Sequence, residues 1–431
     1  MQLTLHSLYK HNLYRINTLS RRRIVVVGAG TSGAVLSMSL ASRTDHELVV
    51  VESGAYSGLD DEPRFMNVLA DSSLQSIHQV HLVTNSPSVP YVQAHCVGGG
   101  SAINGLLLTA QIPDVAVGMT SRADIEELGD VGRALLSSGG EPSDLWWNHG
   151  RWNPGRALMH LWEEGRIQIV SGDVVAALGD EHVTKGVHLR DQVIEADVVV
   201  MCAGAIATPK ILLQSFTSSL NPDIGRGLQD HPCVTFAVEL NNESRSFFDA
   251  GVIRRGTTST GEQYLIVAYE RASWSETHLG LVSVMLMTPH SRGWVSMTEG
   301  GWDVHLNMLD DARDVAAMRE ALWALMDIVE HDSFAVISRG VYADDEGTSI
   351  DALRLFSHDE LDEWIRANLR PVSHVASSCS QAVHDSAALR AVEGMFIADA
   401  SVLASVPPET PAGPVTMEAR RIAREIESAL S

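Results

Sequence analysis

The residues whose types and spacing carry the clearest chemistry are Gly28-Ala29-Gly30-Thr31-Ser32-Gly33, followed by Glu52. The three glycines follow a G-x-G-x-x-G spacing, and each has a mechanical task. Gly28 permits a tight turn, Gly30 lets backbone approach a pyrophosphate, and Gly33 lets a helix pack closely on a strand. Thr31 and Ser32 open that helix, whose N-terminus is a ready anion site. Glu52 stands 19 residues after Gly33, near the roughly 20-residue spacing of a ribose hydroxyl acceptor. The chemistry is dinucleotide binding, and the pattern does not separate FAD from NAD. A second run, Gly98-Gly99-Gly100-Ser101, is either a ligand loop or a plain turn, since glycine serves both. The four cysteines, Cys96, Cys202, Cys233 and Cys379, form no C-x-x-C or Cys/His ligand spacing. No metal site or disulfide framework is expected, only buried free thiols.

These residues need elements to position them. Ile24–Val27 is a β-branched run of the kind found in buried parallel strands. The helix after it carries Val35, Leu36 and Leu40 on one face, and Leu48–Val51 reads as a second buried strand ending at Glu52. The stretch 168–178, which contains Val174, reads as a strand or hairpin. Val198–Met201 is a further buried strand, followed by a turn at Ala203-Gly204 and a helix. Thr208 as N-cap and Pro209 at the first helical position suit that helix start. Glycine turns at the ends of parallel strands are where doubly wound folds bind ligands. Ser357 and Glu360 form a capping box for an amphipathic helix (Leu361, Trp364, Ile365, Leu369). A helix over 310–330 places Val315, Met318, Leu322 and Leu325 in a core stripe. Its antiparallel companions are 234–240, the segment PHSRGWVSM and the segment WDVHLNML.

At 431 residues, 45% of them hydrophobic, the chain can bury two or three domains. Its net charge of −23 repels phosphate backbones, which argues against nucleic-acid binding. No apolar run reaches the ~18 residues of a transmembrane helix. The first 23 residues carry basic groups throughout and do not read as a secretory signal. The expectation is a cytoplasmic protein, with peripheral membrane association compatible.

Five ordered stretches resemble the glucose–methanol–choline (GMC) oxidoreductases, FAD enzymes that oxidise alcohols. They are VVVGAGTSGAVLSMSLA with VVVESG; VGGGSAINGLLL; CAGAIATPKILLQS with IGRGLQDHP; PHSRGWVSM; and SHDELDEWIRANLRPVSHVASSCS with GMFIADASVLASVPPETPAGPVTMEARRIA. The resemblance runs from about Arg23 to the C-terminus. It implies an α/β fold with a Rossmann-type FAD-binding domain and an α+β substrate domain on an antiparallel sheet. The FAD-binding domain would be discontinuous, over 20–115, 150–232 and 387–431, with the substrate domain at 233–386. A shortened lid or linker would occupy 116–149, and 1–19 would be an N-terminal arm.

By the same resemblance, Gly99, Gly100, Asn104 and Gly105 lie against the flavin loop, and Val174, Ala203, Gly204, Asp399 and Ala400 complete the cofactor site. His374 opens the family's H-x-x-G-T-C-like motif and faces the flavin. A histidine suits removal of the hydroxyl proton, because its ordinary pKa lies near working pH, while the electrons pass to flavin N5. Some relatives hold FAD covalently through a His one residue before this Asn. Here that residue is Ile103, so FAD is expected to be non-covalent.

The chain departs from the family at the second catalytic position, where Ala412 replaces His or Asn. Thr410 or Glu409 then substitutes, or His374 works alone. The His374 motif is altered too, with Ser377 at its glycine. His231, in LQDHP, is assigned a structural role beside the cofactor. Trp146, Trp147 and Trp152 read as core, with a substrate or partner surface as the alternative. The Pro411-Ala412 pairing resembles the actinobacterial GMC dehydrogenases associated with mycofactocin. That implies a reduced redox cofactor such as mycofactocinol as donor and a respiratory, non-oxygen electron acceptor. A peroxide-forming alcohol oxidase and a low-turnover flavoprotein electron carrier are the competing functions.

Overall fold

In the computed structural model, the described residues are 21–111, 113–180, 182–216 and 221–431; the N-terminal arm at 1–19 lies outside them. Five parallel strands form the first sheet, in the order Gln168–Ser171, Glu47–Glu52, Arg23–Val27, Val198–Met201, Met395–Ile397. Ile24 lies in register with both Leu48 and Val198. Side chains alternate across a strand, and both faces here are covered. Ile24 and Val26 pack with Leu36, Ile422 and Ile426 of the helices Thr31–Ala41 and Ala412–Leu430. Val25 and Val27 pack on the opposite side with Ile211, Leu212 and Val383. This is why the strand reads as an unbroken apolar run rather than an alternating one.

Three sequence expectations are corrected by the chain's long-range contacts. The stretch 168–178 is neither one strand nor one hairpin: Gln168–Ser171 edges the parallel sheet, while Val174–Gly179 joins a separate antiparallel sheet. The helix expected to start at Thr208 starts four residues earlier, spanning Gly204–Ser215 with Pro209 inside it. Proline there cannot donate to the carbonyl four residues back, and the Ser378 hydroxyl donates to that Ala205 carbonyl instead, at 2.6 Å. The C-terminal helix, which the sequence pattern places at Met417–Leu430, begins at Ala412. Pro414 is tolerated in its first turn because no intrahelical acceptor is lost there.

The second large sheet has six strands, in the order Ser338–Tyr342, Cys233–Leu240, Leu279–Leu286, Gln263–Tyr269, Ala250–Thr257, Glu141–Pro142. The helix Ala312–Val329 buries Met318, Leu322 and Leu325 in the same core as Phe236 and Val284. Asp311 caps that helix through the Arg313 N–H. A third sheet pairs Gly293–Thr298 with Gly301–His305, and adds Gln75–His81 and Ser88–Ala94 from the N-terminal part of the chain.

Segment 116–149 is anchored on the six-stranded sheet, to which it contributes Glu141–Pro142. Its helix Asp130–Ser137 buries Val131 and Leu135 completely, and the buried Glu270 carboxylate accepts from the Gly132 N–H at 2.8 Å. Trp146 and Trp152 stack at 4.6 Å in the core; Trp147 meets Phe247 and Phe248 edge-on. No helix among the described residues is long and apolar enough to cross a membrane.

Candidate active site

One cavity of about 1150 Å³ opens between the ends of the parallel strands and the six-stranded sheet. That exceeds the ~300–1,000 Å³ of an ordinary small-molecule pocket, as an extended dinucleotide plus a substrate requires. Gly28, Gly30, Thr31, Ser32 and Glu52 line it, as do Gly99, Gly100, Asn104 and Gly105. So do Val174, Ala203, Gly204, His374, Asp399 and Ala400. Gly33 is the one expected residue not on the wall. A Cβ there would lie 1.9 Å from the Gly28 carbonyl oxygen, so its task is helix-on-strand packing. Nothing from 116–149 lines the cavity.

The two glycine loops abut. A Cβ on Gly99, whose φ is +53°, would come within 2.8 Å of Gly30 Cα. Thr31 locks the pair, donating to the Gly98 carbonyl at 3.1 Å and meeting Ser101 Oγ at 2.8 Å. Gly30 caps the helix Thr31–Ala41 without a side chain, so the first-turn N–H groups are left for a ligand. This bare backbone, with the positive end of a helix dipole behind it, fits a pyrophosphate. Glu52 accepts from the Ala29 and Gly54 N–H groups at 2.6 and 2.7 Å, which holds its carboxylate at the cavity edge with lone pairs to spare. Arg151 donates to the Asn104 carboxamide oxygen at 3.1 Å, fixing which way that side chain faces. Asp399 is more structural than the resemblance implies. Its carboxylate takes Gly204 N–H, Thr208 Oγ1 and Ser401 N–H at 2.8, 2.6 and 2.8 Å, capping one helix and one turn together.

His374 meets a partner that sequence reasoning set aside. His231 Nδ1 and His374 Nδ1 are 3.0 Å apart. His231 Nε2 is 2.9 Å from the Pro407 carbonyl. A carbonyl only accepts, so His231 carries its proton on Nε2. Burial pushes the His231 pKa down to about 4 and the His374 pKa down to about 3, so both rings are neutral at pH 7. His231 Nδ1 is therefore an acceptor, and His374 Nδ1–H must donate to it. That leaves His374 Nε2 with its lone pair, unbonded among the described residues, on a ring that lines the cavity.

Asp230 fixes both histidines. It accepts from the His231 and His374 backbone N–H groups at 2.8 and 3.0 Å, and from the Tyr91 hydroxyl at 2.6 Å. It is buried, which raises its pKa to about 6 against the pull of those donors. The only sequence signal for this arrangement was the D-H-P triplet just before a strand.

Ala412 is the first residue of the C-terminal helix and lines the cavity beside Pro411. No side chain caps that helix, so its dipole favours negative charge at this point. Thr410 also lines the cavity; its hydroxyl donates to the Leu107 carbonyl at 3.1 Å, and its N–H to Thr109 Oγ1 at 2.8 Å. Glu409 is not on the cavity wall. His231 holds the other nitrogen of His374. Ser377, at the motif's glycine position, has a left-handed backbone, φ +75°.

Two family models described as GMC oxidoreductase match the chain, one over residues 161–233 and one over 289–419. A 5-(hydroxymethyl)furfural oxidase of Methylovorus sp. (strain MP688) is 20% identical, over 93% of this chain and 98% of its own. The structure of pyridoxine 4-oxidase from Mesorbium loti superposes with a TM-score of 0.80 at 17% identity, covering 94% of this chain and 99% of that one. A fungal aryl-alcohol oxidase superposes with a TM-score of 0.73 at 12% identity, covering 95% and 99%.

Proposed function

The chain belongs to the GMC oxidoreductase family of FAD-binding flavoproteins, and on that premise we propose that it oxidises the CH–OH group of an alcohol with His374 as the base. The observation that carries this reading is the neutral His374 ring, with Nε2 open in the same cavity as the dinucleotide cradle. Bound FAD supplies the two-electron acceptor. The residues that would hold it are the Gly28–Gly33 loop, Glu52, the Gly99–Gly105 loop, Val174, Ala203-Gly204 and Asp399-Ala400. His374 Nε2 takes the hydroxyl proton. His231 holds the tautomer that makes this nitrogen an acceptor, and Asp230 holds both backbones. The uncapped helix at Ala412 favours the negative charge that develops as the alcohol loses its proton.

His231→Phe tests the tautomer assignment, because it keeps an aromatic ring while removing the acceptor for His374 Nδ1–H. A wrong tautomer in a serine-protease triad costs up to ~10⁴-fold; here the partner is neutral, so a loss of about 10- to 100-fold in flavin reduction is expected. FAD content should be unchanged. An unaltered rate would remove His231 from the mechanism.

The finer reading is a dehydrogenase with a non-oxygen, respiratory acceptor. The Pro411-Ala412 pairing supports a reduced redox cofactor such as mycofactocinol as its donor. The oxidase alternative is favoured by the names of the relatives above. An anaerobic visible spectrum, titrated with alcohols and then opened to air, separates them. A band that bleaches and stays bleached marks a dehydrogenase, and rapid recovery with peroxide marks an oxidase. A band that no alcohol bleaches leaves an electron carrier. Acid precipitation is expected to release the flavin into the supernatant, since Ile103 offers no nucleophile for attachment.

A further inference from the structure

Three neighbouring strands of the six-stranded sheet, Cys233–Leu240, Leu279–Leu286 and Gln263–Tyr269, form one wall of the cavity. Every second side chain on each strand faces it. Their register places Cys233, Met285 and Leu265 in one row across the strands. The next row is Thr235, Ser283 and Val267. All six line the cavity and none is charged.

The second row holds a polar feature that no step above uses. Thr235 Oγ1 and Ser283 Oγ are 2.7 Å apart. Two hydroxyls carry two protons, and their mutual bond uses one. Among the described residues the remaining neighbour is Cys233 Sγ, 3.7 Å from Thr235 Oγ1, a weak acceptor. Ser283 is buried, Thr235 is half-buried and both face the cavity, so the pair suits an acceptor atom brought by a ligand. Its position relative to the base follows from the chain. Thr235 stands four residues after His231, the hydrogen-bond partner of the base, and two residues beyond Cys233 on the same strand, ~7 Å along it. A ligand with its carbinol at His374 reaches this row with its far end, across the apolar row of Cys233, Met285 and Leu265.

We propose that the Thr235–Ser283 hydroxyl pair is a specificity subsite, and that the substrate is an uncharged, largely apolar alcohol bearing an acceptor oxygen remote from its carbinol. The placement of the carbinol rests on the assignment of His374 as the base. Carboxylates at the far end are disfavoured because neither row carries a cation and Arg370, which lines the cavity beside Cys233, is paired with Asp345 at 3.0 Å; desolvating an unpaired charge is unfavourable.

The test uses the holoprotein and its Thr235→Val and Ser283→Ala variants, with benzyl alcohol, 4-acetamidobenzyl alcohol and 4-carboxybenzyl alcohol as probes. Dissociation constants come from the perturbation of the oxidised-flavin spectrum under anaerobic conditions, and flavin reduction is followed in parallel. The wild-type protein is expected to bind the acetamido compound about ten-fold tighter than benzyl alcohol, and the carboxylate more weakly than either. Each variant should bring the acetamido-to-benzyl ratio close to one. A carboxylate bound as tightly as the acetamido compound, or a ratio unchanged in both variants, overturns the proposal. The expected binding pattern without reduction by any probe would uphold the subsite and remove alcohol oxidation.

Discussion

Replacing His374 with alanine is expected to slow the reduction of bound flavin by alcohol by roughly 10²- to 10⁴-fold, the span of a positioned general base. The protein should still fold and hold FAD. The ring sits at the end of a network rather than inside a core: Asp230 holds its backbone N–H and His231 its Nδ1. Alanine keeps the backbone bond. The measurement is anaerobic stopped-flow reduction at saturating alcohol, with flavin content by absorbance. A His374→Ala protein that is reduced at near wild-type rate would remove the base assignment and point to the other histidines on the cavity wall, His78 and His95. His374→Gln is the companion variant. It fills similar space with a polar group that cannot serve as a base near neutral pH, so it should stay as slow as the alanine variant.

Gly33→Ala is expected to abolish FAD binding and destabilise the protein severely, although Gly33 does not line the cavity. The added Cβ would stand 1.9 Å from the Gly28 carbonyl oxygen and 3.0 Å from its carbon. Both are backbone atoms of the turn itself, so no side chain can swing away. The helix Thr31–Ala41 would have to lift off the strand Arg23–Val27, taking the phosphate-facing N–H groups with it. Ordinary overpacking costs about 1–3 kcal/mol, and this contact should exceed that range. Gly100→Ala is the control for fold, because a Cβ there meets no protein atom within 4 Å. Thermal unfolding of the two variants checks the contrast, and flavin content is read for Gly33→Ala. A Gly33→Ala protein that is yellow and unfolds at the wild-type temperature would mean that the strand–helix contact is looser than described.

Much of this site was legible from residue order, and the illegible part has a common character. The glycine loop, its flanking strand and helix, and Glu52 are consecutive or nearly so, and their roles follow from backbone conformations that only those residue types allow. The capping box at Ser357 is local in the same sense, and it is found as expected. The errors arose where a distant group satisfied what the local sequence left open. Thr208 and Pro209 resemble a helix start because proline cannot donate inside a helix. The helix nevertheless runs through them, because Ser378, 173 residues away, serves the orphaned carbonyl. The Val174 region reads as a strand or hairpin because nothing local tells which sheet each strand joins.

The sequence by itself determined that this chain winds a Rossmann-type dinucleotide unit, and its five ordered stretches implied FAD and the GMC oxidoreductases by resemblance. Buried β-branched runs and glycine spacings are local properties with few alternative conformations. Only the tertiary structure decided which nitrogen of His374 is free. That depends on His231, 143 residues away, and on a carbonyl at Pro407 a further 176 residues from His231. A tautomer is set by the geometry of a hydrogen bond, and no residue spacing encodes that geometry until the two segments meet in space.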